Sequence, residues 1–285
     1  MATAAPHERA SNQALNSTFS RVLVGADGSD EAIEAAKQAA LFAEGNLRLL
    51  TVYDTASWII GATGTQVPAY LDEDLQRSSA SGALERTLHA LGEPADVAGK
   101  IVRGCPWDAL IREIEHSRDT LVVVGSHGTG RARGILIGST ATELVHKAPC
   151  SVLVTRGKAR IPRRIVVGVD GSPESARAYI VARDLAERLG SHFRAIVDQG
   201  GKAVDMALVR AITGDAVKES MHEPVRALVG ASGIVDLVVV GSRGLHGLKA
   251  LGSVSERVAH QADCSVLVVR EAPWQRTEER EVTRA

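Results

Sequence analysis

Residues 21–36 read RVLVGADGSDEAIEAA, and residues 164–179 read RIVVGVDGSPESARAY. In both, a short apolar run rich in β-branched residues (22–24 and 165–167) gives way to Asp-Gly-Ser and then to a pattern of helical period. A continuous apolar run of that length is the mark of a strand covered on both faces, as in a parallel sheet. Ser29 and Ser172 are placed to cap the helices that follow, Pro173 suits a first helical position, and acids fill the first turns. Ile33, Ala36, Ala40 and Leu41 predict the apolar face of the first helix, and Gly45 and Gly190 stand where C-caps would end the pair.

Outward from this pair, two more matches follow in the same order. LVVVGSHG at 121–128 returns as LVVVGSRG at 237–244, and GSTATELVHKAPCSVLVTR at 138–156 returns as GSVSERVAHQADCSVLVVR at 252–270. Three ordered matches mean that a whole unit is duplicated. Each unit alternates strands (47–52, 121–124 and 152–154 in the first; 237–240 and 266–269 in the second) with helices opening at Pro106, Pro224, Ser139 and Ser253. In the second unit Ser253 and Glu256 have the spacing of a capping box. Strands alternating with helices predict an α/β fold: two tandem doubly wound parallel-sheet domains. The expected limits are 20–156 and 163–270, joined by a short basic linker at 157–162, with a polar disordered leader at 1–19 and a charged, solvated tail at 271–285.

Composition narrows the function. The 285 residues carry a net charge of −1, leaving no surplus of cations to neutralise a polyanion, so nucleic acid is not an expected partner. Aromatic residues make up 3%, so the cores must be built from Val, Leu, Ile and Ala. Neither a membrane span nor a signal peptide is expected, since no run of about 18 apolar residues occurs and the N-terminal segment lacks an apolar core. Cys105, Cys150 and Cys264 lie far apart, without a CxxC pair, which fits neither a disulfide framework nor a zinc site and suits a reducing cytoplasm.

Ligands of doubly wound sheets bind beyond the carboxyl ends of the strands. Two unusual loops fall there. One is 25–29 (GADGS); the other runs from Gly125 and Gly128, across nine residues holding Arg131 and Arg133, to Gly138, Ser139 and Thr140 at a helix start. Glycine permits close backbone approach, and a helix N-terminus offers free N–H groups to phosphate. Neither GxxxxGK[ST] nor GxGxxG occurs, so these residues alone leave both a phosphate cradle and a plain set of tight turns open.

The combination is more specific than its parts. GSHG, nine residues, then GS, set between a VVV strand and a helix that ends in HKAPCSVLV, resembles the universal stress protein family, whose ATP-binding members share G-x2-G-x9-G-[ST]; VGADGS and CPWDAL fit the same family. The resemblance implies Rossmann-like domains of the adenine nucleotide alpha hydrolase-like kind, binding ATP with magnesium. It implies that Asp27 contacts adenine and ribose, that backbone near Val52 contacts adenine, and that Val124, Gly125, Gly128, Gly138, Ser139 and Thr140 hold ribose and phosphates. It also implies that domains pair through the final strands, here within one chain, with a homodimer of chains as a further option.

The second unit departs from the pattern. Only seven residues separate Gly244 from Gly252, and Asp198 and Pro224 lie 26 positions apart where Asp54 and Pro106 lie 52 apart. The missing part is expected to be a helix and strand, and a nucleotide site at Asp170, Gly241, Gly244, Gly252 and Ser253 is correspondingly in question. Elsewhere, His146 and His260 read as cations near helix C-termini, Cys150 and Cys264 as small buried side chains, Cys105 as exposed at a helix start, Trp58 and Trp107 as packing residues, and 58–71 as a loop or lid. His127 faces Arg243 in the repeat, which favours a tolerant loop position over a catalytic base. No nucleophile–base–acid set and no Walker lysine is present, so a regulatory ATP-binding module is the leading expectation. The rivals are a slow ATPase or phosphotransferase using Asp27 and Ser139, and a nucleotide-free interaction scaffold.

Overall fold

The computed structural model describes residues 19–54, 56–60, 66–70, 72–94, 96–128, 137–198, 205–214, 217–220, 223–242 and 254–275. The first half runs β1 (Arg21–Gly25), α1 (Asp30–Phe42), β2 (Asn46–Tyr53), β3 (Ala56–Ile60), β4 (Gln66–Tyr70), α2 (Glu73–Ala90), β5 (Ala98–Arg103), α3 (Pro106–Ser117), β6 (Leu121–Gly125), α4 (Ser139–Lys147) and β7 (Ser151–Thr155). The second runs β8 (Arg164–Val169), α5 (Pro173–Leu189), β9 (His192–Asp198), α6 (Met206–Thr213), β10 (Val217–Ser220), α7 (Pro224–Ser232), β11 (Leu237–Gly241), α8 (Val254–Gln261) and β12 (Ser265–Val269).

All strands but β3 and β4 join one sheet in the order β10-β9-β8-β11-β12-β7-β6-β1-β2-β5. Within each half the pairing is parallel; β12 and β7 meet antiparallel, with Leu267 opposite Leu153. The side chains of the strands alternate between two cores that run through both halves. Val22, Val24 and Val123 pack under α1 on one face together with Val167 and Val239 under α5; Leu23, Val122 and Val152 pack on the other with α3 and α4, as do Val238 and Val266 with α7 and α8. The doubly wound reading of the sequence is therefore the observed architecture.

Several local expectations need correction. The second half keeps a helix and a strand in its middle, α6 and β10. Among the described residues it has no counterpart of the antiparallel ribbon β3–β4, and its helix has 8 residues against 18 in α2. Asp205, which accepts from the N–H groups of Ala207 and Leu208 at 2.9 and 3.3 Å, starts α6, and Val209 seals the sheet beneath it. Within 58–71, where a loop or lid was expected, 58–60 and 66–70 are paired strands, in keeping with the β-formers Trp58, Ile59, Ile60 and Val67; 61–65 and 71 lie outside the described residues. Gly190 ends α5 in the left-handed conformation (φ 65°), but α1 ends earlier, at Ala43 in extended conformation, so Gly45 is no cap. In α1 the buried side is Ala32, Ala35, Ala36, Ala39 and Phe42, while Ala40 is exposed. The small alanines mark no phase; Phe42 does.

The ends are also more ordered than composition suggests. Phe19, assigned to the leader, is 1% exposed and its carbonyl accepts from Glu44 N–H at 3.1 Å. Ala272 is buried, Trp274 packs on the second core and Glu271 pairs with Arg177 at 3.0 Å, so the start of the tail is docked. The linker is strapped to α1: Ala159 N–H donates to Glu34 at 2.7 Å and Arg160 N–H to Gln38 at 3.0 Å.

Candidate functional site

The chain leaves β1 toward β2 and β5, then returns to the other flank of β1 to form β6. The gap between the carboxyl ends of β1 and β6 is thus the topological switch point, where such sheets take ligands. Gly25 and Gly125 end these two strands, and both loops singled out in the sequence leave from here.

The first loop is a tight turn built on Asp27. Its Oδ1 accepts from the Ser29 N–H at 3.0 Å and the Ser29 hydroxyl at 2.6 Å, while Ser29 Oγ accepts from Ala32 N–H at 3.2 Å and so caps α1. Gly28 makes the turn at φ +75°, and a Cβ there would lie 2.7 Å from Ala83 Cβ and 2.8 Å from its Cα, on α2. Gly28→Ala should therefore cost roughly 1–3 kcal/mol of stability, from left-handed strain and overlap together. Urea unfolding measures it, and a neutral result would mean that α2 does not hold this loop.

The second loop comes up against the first. A Cβ on Gly128 would overlap Asp27 Oδ2, so the absence of a side chain is what lets the two loops meet. Gly125 packs on the first turn of α1, where a Cβ would stand 3.0 Å from Glu31 Cβ. The excursion between Gly128 and Gly138 is pinned at its base: Gly138 N–H donates to the Ser126 carbonyl at 2.6 Å, and Ser126 N–H to the Thr155 carbonyl at 3.0 Å. His127 Nδ1 lies 3.0 Å from Ser126 Oγ, a local contact that suits the tolerant-loop reading. Gly138 is the N-cap of α4; no side chain caps that helix and its first turn holds no acid. An uncapped N-terminus without an acid in its own first turn presents its N–H groups and partial positive charge to an anion. Ser139 is exposed and Thr140 half-buried beside it. Val124 is buried in β6, and Val52 lies at the end of β2 on the far side of β1. The structure thus gathers Asp27, Gly125, Gly128, Gly138, Ser139 and Thr140 at one point; Arg131 and Arg133 lie outside the described residues.

In the second half, Asp170 repeats the turn of Asp27: its Oδ1 accepts from Ser172 N–H at 3.0 Å and from Ser172 Oγ at 2.5 Å, with Gly171 at φ +82°. Gly241 ends β11 against the start of α5, as Gly125 does against α1. Gly244, Gly252 and Ser253, with the expected capping box, lie outside the described residues. Among the described residues no cluster of three His, Cys, Asp or Glu could hold a metal ion.

The cysteines stand as expected: Cys105 is exposed at the start of α3, and burial pushes the Cys150 thiol up and the Cys264 thiol up to about 12. Trp107 carries Lys147 Nζ 4.0 Å from its ring centroid. The histidines are different. His146 Nε2 faces Glu256 Oε1 of the other half at 2.8 Å, and burial holds His260 below its ordinary value. The C-terminal carbonyls of α4 are taken instead by Arg270, and Arg156 donates to the Ala259 carbonyl of α8 at 2.5 Å. Sequence reasoning passed over both arginines, although they occupy equivalent places in SVLVTR and SVLVVR.

Fold and loops together define the class: a tandem, Rossmann-like α/β protein with a glycine loop at a strand switch point. A family model described as the universal stress protein family matches residues 18–156 and 216–270. The universal stress protein Rv2005c of Mycobacterium tuberculosis is 31% identical over 291 aligned positions, covering 88% of this chain and 97% of that protein; Rv2623 of the same organism is 30% identical over 290, with 88% and 96% covered. The crystal structure of a universal stress protein from Archaeoglobus fulgidus superposes with a TM-score of 0.66 at 19% identity, over 90% of this chain and 99% of that one. The chain belongs to the universal stress protein family. Among the described residues no helix is long and apolar enough to cross a membrane.

Proposed function

We propose that the first half, 20–156, binds ATP with magnesium at the β1–β6 switch point, and that the chain serves as a nucleotide-responsive regulatory module in the cytoplasm. The observation that carries this reading is the meeting of Gly128 with Asp27 beside the uncapped start of α4. A carboxylate for hydroxyl groups and a helix start for phosphates then stand on either side of one gap. Asp27 would accept from the ribose hydroxyls, and backbone near Val52 would read adenine. Val124, Gly125, Gly128 and Gly138 would line the ribose and phosphates, with Ser139 and Thr140 donating their hydroxyls. Magnesium would arrive on the phosphates. The second half, 163–270, repeats only Asp170 and Gly241 of this arrangement among the described residues, and its loop from Gly244 to Gly252 and Ser253 is two residues shorter.

Nucleotide released from the denatured, purified chain and measured by mass spectrometry tests the reading. One adenine nucleotide per chain is expected. Two would assign a site to the second half as well, and none, with no heat on titration of ATP, would overturn the proposal.

A further inference from the structure

Arg270 leaves the end of β12, in the second half, and is only 7% exposed. Its guanidinium reaches α4 of the first half, donating to the carbonyls of Ala148 at 2.8 Å and Leu144 at 3.4 Å and to that of Val145. Ser242, at the start of the second half's shortened loop, holds the other side of the fork at 3.3 and 3.4 Å, and Ser151 ties the Arg270 backbone at 3.2 Å. No carboxylate pairs with Arg270 among the described residues. Burial brings it down to about 10, so it remains a cation at neutral pH. A buried cation without a carboxylate is costly unless another source of negative potential answers it, and the C-terminus of a helix is one. The opposite end of the same helix is the uncapped start at Gly138.

We propose that Arg270 is a positioning residue for the first half's site: from the other half it anchors the C-terminus of α4 and thereby sets how strongly the N-terminus of α4 holds phosphate. This rests on the nucleotide reading and assigns the second half a part in it. A nine-residue helix is nearly rigid, so fixing one end places the other. Cancelling the partial negative charge at its C-terminus also leaves the positive end unopposed.

The test titrates ATP and adenosine into the full-length wild type, Arg270→Lys and Arg270→Met, and follows amide exchange of α4 in the ligand-free proteins. Arg270→Met should weaken ATP by roughly tenfold and leave adenosine within about twofold. Arg270→Lys, which keeps charge and loses the fork, should fall between. Exchange in α4 should quicken while that of β1 stays unchanged. Equal weakening of ATP and adenosine, or no weakening of either, overturns the proposal. If Arg270→Met does not fold, Arg270→Lys decides by the same ATP-against-adenosine comparison. A wild type that takes up neither ligand overturns the nucleotide reading itself, and α4 exchange then reports separately whether Arg270 anchors the helix.

Discussion

Gly128→Glu should lower ATP affinity by roughly 100-fold or more, the largest effect expected of any single change at the site. Two causes add. The new Cβ falls on Asp27 Oδ2, so either the glycine loop or the Asp27 turn must shift, and the turn is tied to the cap of α1 through Ser29. The new carboxylate also stands beside Asp27 and next to the helix start that would receive phosphate, where like charges repel. Gly128→Ala isolates the first cause and should cost about tenfold. Gly128 is exposed, so neither change should move the thermal midpoint by more than a few degrees. Calorimetric titration checks both, and wild-type affinity in Gly128→Glu would remove this loop from the site.

Arg48→Met should be the most destabilising substitution, at roughly 3–5 kcal/mol, because it strips the cation from two buried carboxylates. Arg48, on β2, donates to Asp119 Oδ2 at 2.5 Å and to Glu113 Oε1 at 2.7 Å; Lys100 takes the other oxygen of Glu113 at 2.6 Å. Asp119 is 0% exposed, and burial pushes its carboxyl up to about 6 although Arg48 pulls it down. Burial acts upward on Glu113 too, but the hydrogen bonds from Lys100 and Arg48 outweigh it and hold Glu113 below its ordinary value. The pH dependence follows from these directions. Between 3.8 and about 6 the folded state keeps a proton on Asp119 that the unfolded state has lost, so this group's contribution falls as pH rises through that window. The contribution of Glu113 is present above its ordinary value of 4.5 and is lost as pH falls below it. Removing Arg48 worsens the first and weakens the second, so the gap between wild type and variant should widen from pH 4 to pH 7. Denaturant melts at the two pH values measure it; a gap independent of pH would mean that Arg48 acts through packing alone.

The architecture was legible because it was written twice. Residues 21–36 and 164–179 announced strand, cap and helix in both halves, and the VVV strands with their glycine loops placed the switch point. Legibility failed where a local signal was weak or the partner was remote. The alanines of α1 hid its phase, and Gly45 followed a helix that had already ended at Phe42. Counting positions in the second half's middle obscured Asp205, which signals a helix start. For the candidate site, Asp27 and the glycines could be named from their motifs and the family resemblance, but not the overlap that a Cβ on Gly128 would make with Asp27 Oδ2, since that depends on two loops about 100 residues apart. The same holds for Arg48, whose carboxylates lie 65 and 71 residues away in sequence, and for Arg270, whose α4 carbonyls lie 122 to 126 residues away.

The antiparallel seam between β7 and β12 has a kinetic consequence during synthesis. β7 is buried along its whole length, yet its partner strand lies more than a hundred residues downstream. At roughly 5–20 residues per second, a ribosome needs on the order of 5–20 s to deliver it. For that interval the nascent first half has its helices and all five of its strands of the main sheet, with SVLVT as an open apolar edge. Every neighbouring ribosome on the same message displays the same edge, so slow elongation between 156 and 265 is the moment at which two chains can exchange strands instead of each closing on itself.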